Sequence, residues 1–150
     1  MSRRRGFTVI EMLIVIIVIG TLALHSILRY RDLRNHAVAS GVAAELNGIR
    51  LAAYNHWADH ESFPADEDPG VVPPALEPYL IAGFEFARPQ HVFDWEHFSD
   101  SDGGITVGVV VTSDDDQLMA ILARRQTGGL PYFVVGNTLT YVIVGPDGAM

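Results

Sequence analysis

Glu11 lies between Arg3-Arg4-Arg5 and the run from Met12 to Leu28, which carries no formal charge. A carboxylate within an apolar membrane helix costs about 2.5–3.5 kcal/mol on insertion scales unless a partner satisfies it. Glu11 is therefore a functional candidate on physical grounds alone, and the chemistry it offers is charge pairing in an apolar medium. Other residues invite weaker readings. His56 and His60, followed by Glu61, have the helical spacing at which two imidazoles share a metal ion. A helical zinc hydrolase needs a glutamate directly after the first histidine, where this chain has Trp57. The pair reads as surface histidines at a helix end, and neither a metal nor a cofactor is expected.

Asp100-Ser101-Asp102-Gly103-Gly104 alternates carboxylates before a glycine turn, a pattern that can offer oxygens to calcium. It precedes a strand-like run and lacks the distal glutamate of a calcium loop, so it reads as a solvated turn. Ser99, Ser101 and Ser113 have no Gly-x-Ser-x-Gly setting and no histidine tied to them by motif. With no phosphate-cradling glycine loop either, no residue set supports catalysis, and the chain is not expected to be an enzyme.

The elements that must position Glu11 start at Phe7. The 22 residues from Phe7 to Leu28 would rise roughly 33 Å as a helix, enough for a hydrocarbon core of about 30 Å. An ordinary secretory signal places small residues and its cleavage site after a short apolar core. Here the short basic segment comes before the core. Gly6-Phe7-Thr8-Val9-Ile10-Glu11-Met12-Leu13-Ile14-Val15-Ile16-Ile17-Val18-Ile19-Gly20 resembles the class III signal of type IV pilins and type II secretion pseudopilins. That resemblance implies cleavage after Gly6 by a prepilin peptidase and methylation of the new N-terminal residue, Phe7. It also implies that Glu11 pairs with the N-terminal amine of a neighbouring subunit during assembly, which would relieve two costly charges at once. Arginines flank the span on both sides, Arg3 to Arg5 and Arg29, Arg31 and Arg34, so charge asymmetry does not set orientation. The resemblance implies a cytoplasmic N-terminus and a periplasmic body.

Beyond the span, no proline occurs until Pro64, and one helix from about Phe7 to Trp57 is expected. Val38, Val42, Leu46, Ile49, Ala53 and Trp57 form an apolar stripe at three- and four-residue spacing. A polar loop follows, with a short helical turn at 75–80. His91 to Trp95 and Ile105 to Thr112 read as strands. Ser113-Asp114-Asp115-Asp116 caps a helix that carries Leu118, Ile121 and Leu122 on one face, Arg124-Arg125 in its last turn and Gly128 as its stop. Tyr132 to Val135 and Leu139 to Val144 read as a hairpin.

All ten basic residues are arginine, and from Asp59 onward three of them face 15 acidic residues. With a surface of that sign, no nucleic-acid partner is expected for that part of the chain. The chain has no cysteine, so no disulfide can staple an exported domain; here it departs from many type IV pilins.

The expectation is thus an α+β chain: a long N-terminal helix, its first half membrane-spanning, packed on a small C-terminal antiparallel sheet. Residues 1–6 would be a leader, 7–28 the span and filament-core half of the helix, and 29–150 a periplasmic pilin-like domain. By the resemblance the chain would be a subunit of a type IV pilus or secretion pseudopilus. Its partners would be the prepilin peptidase, like or related subunits, an inner-membrane assembly platform and membrane lipid. The rival expectation is an uncleaved, single-span anchored binding module.

Overall fold

The computed structural model describes residues 7–99, 105–125 and 132–144. The chain divides into two compact units, Met1–Asn35 and His36–Met150. Helix α1, Val9–His60, contributes to both.

In the first unit, Thr8 starts the helix as its N-cap. Its carbonyl accepts from the Glu11 and Met12 amides at 3.1 and 3.2 Å, and its Oγ1 accepts from the Glu11 amide at 3.4 Å. Thr8-Val9-Ile10-Glu11 has the Thr-x-x-Glu spacing of a capping box, and a carboxylate in the first turn also favours the positive end of the helix dipole. The polar side chains further along are satisfied within the helix. The Thr21 hydroxyl donates to the Val18 carbonyl at 2.9 Å, His25 Nδ1 to Thr21 at 2.8 Å, and the Ser26 hydroxyl to Leu22 at 2.9 Å. Such back-bonding is what an apolar surrounding requires of polar groups. The apolar stretch of this helix is long enough to cross a membrane, and none of it is buried inside the chain.

The second unit is built on a four-stranded antiparallel sheet of order β1-β2-β4-β3, from β1 Val92–Ser99, β2 Ile105–Thr112, β3 Tyr132–Val135 and β4 Thr138–Val144. A 3-10 turn, Glu77–Tyr79, precedes the sheet, and helix α2, Asp116–Arg125, joins β2 to β3. Register places Phe93, Trp95, Val109, Val111, Leu139 and Tyr141 on one face. That face meets Val42, Leu46, Ile49 and Ala53 of α1 and Leu118 and Leu122 of α2 in a single core. Tyr132 reaches α2 from the same face, its hydroxyl donating to the Ala123 carbonyl at 3.0 Å.

Local chemistry explains the joints. Asp115 caps α2, its Oδ1 accepting from the Gln117 and Leu118 amides at 3.0 Å each. Gly136, with φ +62, is the first residue of the two-residue turn between Val135 and Thr138, where a hairpin wants positive φ. At Gly108 a Cβ would stand 3.0 Å from the Tyr141 carbonyl oxygen and 3.4 Å from the Phe98 ring. Phe98 lies across the bare backbone there and meets Phe133 with ring centres 6.4 Å apart.

Three expectations need correction. Trp57 is 39% exposed, whereas His56 is 7% exposed and takes its place; after Ala53 the buried stripe advances by three residues rather than four. β1 continues past Trp95 to Ser99 because pairing with β2 extends through Ser99↔Ile105. The helical turn at 75–80 narrows to the 3-10 turn already given. Asp100, Ser101 and Asp102 lie outside the described residues, as does Gly6.

The two sheet edges differ. The start of β1 is covered by the preceding loop: the Gly70 amide donates to the Phe93 carbonyl at 2.8 Å and the Phe93 amide to the Phe86 carbonyl at 2.9 Å. β1 also carries Asp94 and Glu96. β3, Tyr-Phe-Val-Val, carries no charge and no proline, and its Phe133, Val134 and Val135 are exposed.

Candidate functional site

Glu11 sits in the first turn of α1, two residues past its first helical residue. The residues around it, Val9, Ile10, Met12 and Leu13, are all exposed apolar side chains. The arrangement is a helix end with a carboxylate set into an uncovered apolar surface. In water such a surface is unfavourable by about 25 cal/mol per Å², so it calls for lipid or for another apolar helix. Phe7, immediately outside the helix, is 69% exposed. Phe7 and Glu11 therefore lie at the open end of the same apolar helix.

The second unit holds a polar cluster that the sequence reading missed. Glu45 on α1 accepts from two directions: Arg88 approaches its Oε1 at 3.4 Å and His91 Nε2 its Oε2 at 3.2 Å. Arg88 also stands 3.9 Å from Glu85 and lies over the Phe84 ring at 5.8 Å from its centre. Burial pushes the His91 imidazole below its ordinary pKa, against the opposing pull of Glu45. The geometry agrees: with Nε2–H donated to Glu45, Nδ1 is buried and unpartnered, so a second proton there would have no acceptor. One signal was available in sequence, since Glu45 lies three residues after Val42 and four before Ile49, on the margin of the buried stripe. Its partners, some forty residues away, carried no comparable signal.

At the other end of α1, His56 Nδ1 lies 2.8 Å from the Ser62 carbonyl, and the His56 and His60 rings stand with centres 4.6 Å apart. His56 is thus a buried, hydrogen-bonded residue and not the surface histidine expected. Among the described residues no three His, Asp or Glu side chains converge as metal ligands. On β1, burial and the neighbouring Glu96, Asp66 and Asp68 raise the Asp94 carboxyl to about 6. Its Oδ1 is buried without a partner.

Residues 1–24 match the prokaryotic N-terminal methylation motif. The N-terminus is thus similar to that of type IV pilins and pseudopilins. A longer stretch of this pilin-like chain, 74 residues, is 32% identical to the type IV major pilin protein PilE1 of Neisseria gonorrhoeae, over 49% of the chain and 35% of that relative. The match thus spans about a third of the relative's length. No solved structure matches. A long N-terminal helix on a small antiparallel sheet is a pilin-like arrangement, and with one apolar N-terminal helix it fits a membrane-anchored pilin.

Proposed function

We propose that this chain is a structural subunit of a type IV pilus or a type II secretion pseudopilus, cut after Gly6 by a prepilin peptidase, N-methylated at Phe7 and assembled through α1. The observation that carries the reading is Glu11, held by its cap in the first turn of an uncovered apolar helix and four residues beyond the expected new amine. Residues 1–6 act as a leader, 7–28 as the membrane and filament-core half of α1, and 29–150 as the periplasmic domain. In the inner membrane the helix lies in lipid; at the assembly platform it leaves lipid for related subunits, and Glu11 meets a neighbour's amine. The acidic domain stays outward, where like charge keeps it soluble.

Intact mass of the chain expressed with and without a prepilin peptidase tests the reading. Loss of residues 1–6 with gain of one methyl group on Phe7, abolished by Gly6→Val, is the expected result. An unchanged mass in the presence of active peptidase would overturn it and leave an anchored binding module.

A further inference from the structure

We propose that His56 and His60 form a two-ligand site for a divalent first-row transition metal such as Zn²⁺ at the C-terminal end of α1. The rings lie one helical turn apart with centres separated by 4.6 Å and planes inclined by 36°. Two imidazoles bound to one tetrahedral zinc at about 2.0–2.1 Å have ring centres roughly 5 Å apart, close to the spacing here.

The tautomer of His56 is set for this. A carbonyl oxygen only accepts, so the 2.8 Å contact with Ser62 places the ring proton on Nδ1 and leaves the lone pair on Nε2. Metal-ligating histidines are characteristically oriented by donation of their other N–H to a carbonyl or carboxylate. The ring is further held edge-on to Tyr79, with centres 5.8 Å apart, and the Tyr79 hydroxyl is pinned by donation to Asp59 Oδ2 at 2.7 Å.

The Ser62 carbonyl comes next to His56 because the chain reverses at Glu61, which has φ 54. Among the described residues it is the one non-glycine residue in the left-handed region, a conformation that persists only where its surroundings impose it. Electrostatics favour a cation here. The helix C-terminus presents unpaired carbonyl oxygens and partial negative charge, and Asp59 and Glu61 flank His60. With two protein ligands, water completes the coordination shell and leaves the metal exchangeable.

The test is a titration of the tag-free full chain in detergent micelles with ZnCl2 at pH 7.5, followed by calorimetry and by the imidazole carbon–hydrogen NMR resonances. One saturable event per chain is expected, with shifts confined to His56 and His60. His60 is exposed, so His60→Ala leaves the fold intact, and it is expected to weaken binding by at least about tenfold. Absence of saturable binding, or binding that His60→Ala leaves unchanged, with shifts at His25, His36, His91 or His97, would overturn the proposal.

Discussion

Glu45 Oε2 lies 3.2 Å from His91 Nε2, although 46 positions separate the two residues in sequence. The contact joins the middle of α1 to the residue just before β1, and Arg88 closes on the same carboxylate. Removing the carboxylate leaves a buried imidazole N–H without its acceptor and a half-buried guanidinium with only the more distant Glu85. Glu45→Ala is therefore expected to lower stability by about 1–3 kcal/mol, read from denaturant unfolding of the purified chain. Glu45→Gln, which keeps an amide oxygen to accept from one donor, is expected to cost less.

His91 and Asp94 impose opposite pH dependences. The folded imidazole has a lowered pKa, so the folded state binds fewer protons than the unfolded chain; its stabilising effect is complete above the unfolded value near 6.5 and is lost as pH falls through the folded value. The Asp94 carboxyl is raised to about 6, so the folded state binds more protons and stability from this group falls as pH rises from about 4 to 6. Asp94→Asn is expected to raise the unfolding midpoint at pH 7.5 and to change it little at pH 4. His91→Gln is expected to flatten the loss of stability below pH 6.5. Melting curves across pH 4–8 check both.

Arg50 Nη1 donates to the Tyr141 hydroxyl at 3.1 Å, and Tyr141 is fully buried. Burial raises the Tyr141 pKa, with Arg50 opposing that rise. Truncating the arginine strands the hydroxyl, whereas removing the hydroxyl leaves a half-buried guanidinium with solvent at hand. Arg50→Ala is expected to cost about 1–2 kcal/mol and Tyr141→Phe less than half of that, measured by thermal unfolding.

The left-handed turn at Glu61 offers a stabilising substitution. The strain of a side chain at φ 54 is about 1–2 kcal/mol, and glycine returns part of it as added freedom in the unfolded chain. Glu61→Gly is expected to gain about 0.5 kcal/mol net, seen as a rise in melting temperature.

These relationships separate what could be read in advance from what could not. The α2 helix and the β3–β4 hairpin were legible because their signals are local: acids and a cap at one end, arginines at the other, and a glycine turn between β-branched runs. The placement of Glu11 in the first turn of an exposed apolar helix was legible because the apolar run around it is continuous in sequence. The β1 extension was not, since Glu96 and His97 are poor strand formers recruited by pairing with β2. Trp57 was misplaced because a helical stripe alternates steps of three and four, and one wrong step puts an aromatic outside and a histidine inside. The Glu45–Arg88–His91 cluster and the Arg50–Tyr141 bond depend on chain segments meeting from far apart, which no spacing announces.

The unequal edges of the sheet limit how it can grow. Strand-to-strand addition can start at the uncharged β3 edge, but the opposite edge is partly covered and bears carboxylates that repel their like. Two copies joined β3 to β3 would present those guarded edges at both ends. Among the described residues, such pairing closes as a dimer and leaves the sheet no charge-free edge from which to extend.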